Sequence, residues 1–199
     1  MSPAAARPPR AWWARPVLDL ARELIGATLS CAGSAGVIVE TEAYHDTEAA
    51  CHAHIGLTRR THVLFGPPGT AYVYRSYGIH ALFNVVAEAE GVGAAVLVRA
   101  LRPVAGLEAM GARRGRVGPR ELCSGPGKLT QALGIELPDN GADLTRPGRI
   151  EIRPTATGPD QDAVVAAPRI GIIKAAELPW RFCLRGSPWL SRPVPVAPR

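Results

Sequence analysis

All five histidines and all four tyrosines of this 199-residue chain fall between Glu40 and Asn84. The window opens on Val39-Glu40-Thr41-Glu42-Ala43-Tyr44 and closes on Ala71-Tyr72-Val73-Tyr74-Arg75-Ser76-Tyr77-Gly78-Ile79-His80. A carboxylate can take a proton from water and offset positive charge developing on a sugar. Flat rings can stack on a base, and arginines can hold phosphate. Together these are the parts needed to act on a nucleobase taken out of its stack.

Alternation along residues 37–44 puts Ile38, Glu40, Glu42 and Tyr44 on one strand face and Val37, Val39, Thr41 and Ala43 on the other. The plain alternative for such a glutamate pair is two solvated carboxylates, and the neighbouring tyrosine and aromatic window weigh against it. Tyr72 and Tyr74 also share a face, so at most one is expected to line a site while the other packs into the core. Tyr77 differs, because a ring at a Tyr-Gly turn has little core to reach and exposed aromatics at hairpin tips can wedge into a base stack.

Cys51-His52-Ala53-His54 could suggest a metal site with Glu40 or Glu42 as a further ligand. The spacing is not a zinc pattern, so no metal and no cofactor are expected, and His52 is read instead as a hydrogen-bonding group for a base edge or sugar-phosphate. Arg59, Arg60, Arg75 and the Arg113-Arg114-Gly115-Arg116 run are candidate phosphate contacts, each weighed against a solvated surface charge. Asn84 and Arg99 lie in apolar strand patterns, where an unpaired polar group is costly, so each needs a defined partner.

These residues need a scaffold. Val17 to Gly26 carries a helical stripe after Pro16, and Ala27–Cys31 with Gly36–Tyr44 reads as a hairpin. Residues 45–70 have no period and form a long loop of the kind that is more often functional than idle. Ala71–Arg75 and Ala81–Ala87 flank the Ser76–Ile79 turn, and Ala94–Leu101 is a buried strand. Pro103 opens an expected helix over Val104–Arg113, a Gly-Pro-Gly turn spans residues 125–127, and short strands are expected at Ile150–Arg153, Arg169–Lys174 and Arg181–Arg185. Strands and helices in this mixed order predict an α+β fold.

Length and the 47% hydrophobic content allow one sizeable core, hence one domain over residues 15–199 behind a flexible Pro-, Ala- and Arg-rich tail over residues 1–14. The net charge is +6, and Lys128 and Lys174 are the only lysines among 23 basic residues. That bias fits a nucleic-acid partner, although a G- and C-rich genome accounts for much of the preference for arginine. Four separated cysteines, no signal-like apolar core and no membrane-length apolar run lead us to expect a cytoplasmic protein with no membrane partner, acting as a monomer.

Glu40-Thr41-Glu42-Ala43-Tyr44, His52, the Gly69–Gly78 stretch, Asn84, Arg99-Ala100-Leu101, Leu122-Cys123-Ser124-Gly125-Pro126 and Arg185-Gly186-Ser187-Pro188-Trp189 follow one another in an order that closely resembles the 3-methyladenine DNA glycosylase family of the alkyladenine type. The resemblance covers about Leu18 to Trp189 and implies a single α+β domain around a curved, mainly antiparallel sheet flanked by helices. It implies a base excision repair enzyme that binds double-stranded DNA, flips out an alkylated purine such as 3-methyladenine or 7-methylguanine and hydrolyses its N-glycosidic bond. By position, Glu42 matches the general base for water. Tyr44, His52 and Tyr74 match the base pocket, Asn84 a pocket-wall residue that restricts purine substituents, Tyr77 the intercalating ring and Arg99 a DNA contact near the lesion. The Tyr44–His52 spacing is shorter than in many relatives.

A cationic purine leaves without much help, whereas hypoxanthine or ethenoadenine would need protonation, for which the sequence shows no unambiguous acid. Cleaving the strand as well would need an amine nucleophile. Lys128 follows a glycine-rich turn suited to a phosphate contact, so a monofunctional enzyme that leaves an abasic site is expected. The rival expectations are a non-catalytic module of the same fold that binds damaged DNA or RNA, and a metal-dependent hydrolase using Cys51, His52 and His54.

Overall fold

Strands of strict alternation need something different on each face, and the observed sheet supplies it. The computed structural model describes residues 6–115, 117–156 and 158–194. Its strands are β1 (Thr28–Cys31), β2 (Ser34–His45), β3 (Ala71–Ser76), β4 (His80–Val86), β5 (Ala94–Ala105), β6 (Ile150–Arg153), β7 (Val164–Ala167) and β8 (Arg181–Leu184). All pair antiparallel in one open sheet ordered β3-β4-β5-β2-β1-β6, with β8 joined to β2 and β7. The helices are α1 (Arg10–Trp13), α2 (Val17–Glu23), α3 (Leu107–Arg114) and α4 (Pro126–Leu133). This is the α+β arrangement expected.

The two sheet faces have different neighbours. Val73, Phe83, Val85, Val96 and Val98 point into the main core with Trp13, Leu20, Leu24 and Leu129 from the helices. The alternating residues Tyr72, Val86 and Ala95 point the other way, against Cys51, Ala53, Val63 and Leu64 of the long loop. Period 2 therefore sorts each strand into a helix-facing half and a loop-facing half.

β2 is where this regularity is broken on purpose. Its first half pairs with β1 and its second half, Glu40–Glu42, with β8, and the register against β5 shifts between Ile38 and Glu40 and again between Glu40 and Thr41. A bulge places an extra residue on one strand and resets the alternation. Ile38 accordingly joins the helix-side core with Ala43 and is not on the face of Glu42, as alternation alone had suggested. Thr41 faces the helices too, donating its hydroxyl to the Ala21 carbonyl at 2.7 Å. A side chain at Gly36 is excluded, since a Cβ there would stand 2.8 Å from that of Leu101.

Several expectations are corrected. The tail is shorter than residues 1–14: Arg10–Trp13 is a helical turn, Arg10 donates to the Pro68 carbonyl at 2.8 Å and Trp13 is fully buried. Residues 1–5 of that expected tail lie outside the described residues. β5 runs on to Ala105 through Pro103, and α3 starts only at Leu107. Because β4 pairs with β5 only at Ala95–Leu97, the edge of β5 away from β2 carries no strand further along, where Leu101 gives its N–H to the Cys123 carbonyl, and Pro103 interrupts no ladder there. Arg169–Lys174 is a loop, with Gly171 and Ala175 at φ of 76° and 47°, and the strand in this region is β7. Among the described residues, no helix is long and apolar enough to cross a membrane.

Trp13→Ala should cost about 3–5 kcal/mol, the usual range for truncating a large buried aromatic, and lower the melting temperature by roughly 6–20 °C. An unchanged thermal melt would return Trp13 to a tail.

Candidate active site

Where β2 and β5 pair on the loop-facing side of the sheet, two carboxylates lie with no solvent exposure at all. Glu40 and Glu42 are both 0% exposed. Burial of a carboxylate is costly unless donors replace water, and each has them. Glu42 Oε2 accepts from Tyr44 Oη at 2.8 Å and Arg99 Nη1 at 3.1 Å, while Oε1 accepts from the Ile170 backbone N–H at 2.7 Å. Each carboxylate oxygen can accept about two hydrogen bonds, so the acceptor position left for a water is on Oε1. Burial pushes the Glu42 carboxyl above the ordinary carboxylate range, and Arg99, Ile170 and Tyr44 pull it back in part. Burial and the Glu42 charge raise the Tyr44 hydroxyl, which stays a donor.

Arg99 lies between the carboxylates, 3.1 Å from Glu42 and 3.4 Å from Glu40. The buried guanidinium is held by these two carboxylates and also lines the cleft.

Against Tyr44, Arg99 and Ile170 opens a cleft of about 680 Å³, whose lining also includes His52, Tyr72, Tyr74 and Asn84. Tyr72 and Tyr74 are stacked, with centroids 5.4 Å apart, and His52 meets Tyr74 edge-on at 4.6 Å. The expectation that only one of the two tyrosines lines a site is wrong: both do, because Val73 between them already serves the core. Burial, with the nearby Arg60 charge, lowers the pKa of His52, keeping the ring neutral near pH 7. Arg60 can only donate and sits 3.4 Å from His52 Nε2, so the ring proton is on Nδ1, donating to Tyr72 Oη at 3.2 Å. Asn84 donates Nδ2 to the Tyr72 carbonyl at 3.1 Å, leaving its Oδ1 as an acceptor in the cleft.

At the cleft mouth Tyr77 is 87% exposed, and Tyr77 and Gly78 have φ of 49° and 74°. Two consecutive positive φ values are what a tight hairpin connection needs, so the turn holds the ring out in solvent. Arg60 lines the rim with its guanidinium 5.8 Å from the Tyr74 centroid, and Lys128 in the first turn of α4 reaches Ser124 Oγ at 3.4 Å. Arg59 is exposed on the same loop but outside the cleft lining, and Arg116 lies outside the described residues. Cys51, His52 and His54 turn to separate partners, namely the Gly93 carbonyl, Tyr72 and the Asp46 carbonyl. No group of three or more His, Cys, Asp or Glu side chains converges on a metal position among the described residues.

Sequence reasoning missed Arg169. It is buried, donates to Glu48 at 2.7 and 3.0 Å and to the Ala43 carbonyl at 2.9 Å, and lies over the rings of Tyr44 and Trp180 at 4.6 and 5.3 Å. It ties the loop that carries His52 to the loop that presents the Ile170 N–H to Glu42. The signal was present, since Glu48 is another acidic residue in the aperiodic window, but an ion pair between residues 48 and 169 has no trace in local pattern.

The fold and the cleft define a class, that of an α+β protein with an aromatic-walled cleft beside a buried carboxylate. The family model described as methylpurine-DNA glycosylase matches residues 11–188. The chain is 57% identical over 186 residues, 94% of its length and 88% of the relative's, to a protein of Rhodopseudomonas palustris strain CGA009 named "Putative 3-methyladenine DNA glycosylase". Proteins of the same name from Nitrobacter winogradskyi and Nitrosospira multiformis are 55% and 51% identical, covering 92% and 88% of this chain and 86% and 89% of their own. The chain belongs to the methylpurine-DNA glycosylase family, and so to the DNA glycosylases.

Arg169→Ala should cost about 3–5 kcal/mol by leaving Glu48 buried and unpaired, whereas Arg59→Ala should stay within about 0.5 kcal/mol of the parent. Adding Glu48→Gln to Arg169→Ala should recover part of the loss in a chemical denaturation series.

Proposed function

We propose that the protein is a monofunctional DNA glycosylase of base excision repair, which receives an alkylated purine from double-stranded DNA in the aromatic cleft and hydrolyses its N-glycosidic bond. The observation that carries this reading is the fully buried Glu42 carboxylate, bonded to Tyr44, Arg99 and Ile170 of the cleft wall, with an acceptor position unspent on Oε1. A module that only bound DNA would gain nothing by burying two carboxylates under an anionic ligand.

In the proposed mechanism Glu42 takes a proton from a water held on Oε1 as the bond to the base lengthens. Its charge, partly offset by Arg99, also favours the cationic sugar. Tyr44, Tyr72, Tyr74 and His52 hold the base, Asn84 Oδ1 meets its substituents and Tyr77 fills the vacated place in the duplex. Arg59, Arg60 and Lys128 are assigned to phosphates along the rim. Cationic lesions such as 3-methyladenine and 7-methylguanine need no acid. Neutral lesions such as hypoxanthine or ethenoadenine do, and a neutral His52 is a poor one, so they should be released more slowly.

The direct test is release of base from duplexes that each carry one defined lesion. Glu42→Gln should keep lesion binding and lose about 10²–10⁴-fold in single-turnover excision. In the parent, excision should fall as pH drops through the Glu42 pKa, because only the carboxylate accepts the proton. Burial raises that pKa, so the acid limb should lie above the roughly 4.3 of a free glutamate. The product strand should carry an intact abasic site, with no borohydride-trapped adduct. Release of base by Glu42→Gln at the parent rate would refute the assignment.

Tyr77→Ala should cost about 1–3 kcal/mol of affinity for lesion duplex, the range for a base-stacking ring, while leaving the melting temperature near that of the parent. A large loss of stability would make Tyr77 a core residue.

A further inference from the structure

Glu40 is as deeply buried as Glu42, yet the reaction above gives it no task. Elements from three parts of the chain converge on it. From β8, Arg181 Nε donates to Oε1 at 2.8 Å. From the segment after β8, Ser191 donates its backbone N–H to Oε2 at 2.6 Å and its hydroxyl to Oε1 at 2.8 Å. From β5, Arg99 Nε stands 3.4 Å from Oε1. That Nε is buried and makes no hydrogen bond, so charge attraction alone holds it beside Glu40. Ser191 Oγ closes the circuit as an acceptor 3.5 Å from Arg99 Nη2, and Arg181 Nη2 donates to the Arg192 carbonyl at 2.5 Å.

We propose that Glu40 is a positioning residue which, with Ser191, divides Arg99 between two carboxylates, so that Glu42 remains a strong enough base for the hydrolysis proposed above. Two guanidiniums face two carboxylates here, and the cluster is balanced. If the Glu40 charge is removed, Arg99 belongs to Glu42 alone, which stabilises the Glu42 carboxylate and weakens it as a base. If the Ser191 hydroxyl is removed instead, an acceptor position on Glu40 Oε1 becomes free for Arg99, which is drawn away from Glu42. The two changes therefore act on Glu42 with opposite sign.

The groups that face Glu42 are Glu40 and Tyr44 of β2, Arg99 of β5, Tyr74 of β3, Cys183 of β8 and the Ile170 N–H of the loop over the site. Arg169 stands behind Tyr44, and Arg181 behind Glu40. Glu40 is the only other carboxylate in that set, so its removal has a predictable direction.

The experiment is the pH profile of single-turnover excision for the full chain, its Glu40→Gln variant and its Ser191→Ala variant, with thermal melts to confirm folding. Glu40→Gln should move the acid limb down by about 1 pH unit, the scale of one nearby charge, and lower the plateau rate by about tenfold with lesion binding intact. Ser191→Ala, which only removes a hydroxyl and should fold, should move the limb up by a smaller amount. Limbs that stay in place in the folded variants, or that both move the same way, would overturn the proposal, and so would an unmoved Ser191→Ala limb if Glu40→Gln does not fold. Difference infrared titration of the Glu42 carboxylate band, assigned by its loss in Glu42→Gln, reads the same shifts without turnover. Unmoved infrared bands sink the role of Glu40, whereas absence of base release from the parent with shifted bands sinks only the glycosylase reading.

Discussion

The attraction between two buried carboxylates and the guanidiniums of Arg99 and Arg181 is the constraint to which the rest of the structure answers. Removing one partner of such a cluster leaves an uncompensated charge in low dielectric, at about 3–5 kcal/mol. The β2 bulge sets Glu40 beside Arg181 while β5 brings Arg99 up from the other side. The loop at Ile170 and the segment at Ser191 contribute the backbone N–H groups that the carboxylates still need. Secondary structure alone would leave these oxygens without enough donors, so irregular chain is brought in to finish the job.

That division explains which parts were legible in the sequence. β2 announces itself through period 2, the β3–β4 hairpin and the first half of β5 through short apolar runs, and the Tyr77-Gly78 turn through the conformational needs of a tight hairpin. Tyr44, His52, Tyr74 and Asn84 line one cleft, and Glu42 lies buried behind its wall, bonded to Tyr44, Arg99 and the Ile170 N–H. The Arg169–Lys174 segment was misread because Ile170, Ile172 and Ile173 look like strand residues. In fact Ile173 is 96% exposed and the Ile170 N–H is spent on a side chain. Trp13 was misread because proline and alanine neighbours look like a tail, whereas the edge of its ring closes over Gly69, where a Cβ would stand 2.7 Å from it. Arg99 shows the limit most plainly. An arginine in an apolar strand announces that it has a partner, but whether that partner is a phosphate or two carboxylates is decided by β2, some sixty residues away.

The long loop and the sheet are coupled in a similar way. Arg169, held between Tyr44 and Trp180 and paired with Glu48, makes the cleft wall and the donor for Glu42 parts of one packed unit. Such a unit is expected to resist local opening, since exposing Glu48 would mean undoing a buried ion pair and two ring contacts together.

The hairpin that carries Tyr72 and Tyr74 ends in Tyr77, so the wall of the cleft and its outermost ring are one mechanical part. The paired strand runs from Tyr74 to Ser76, opposite His80, and Tyr77 follows at once in the turn, so at about 3.4 Å per residue the two residues are at most roughly 10 Å apart along the chain. On the proposed reading, the ring that probes the stack and the wall that receives the base advance and retreat in a single stroke. A duplex that refuses the ring thereby holds the wall at a distance, and an undamaged site is passed over at the cost of one brief encounter and not of a loop that must first close and then reopen.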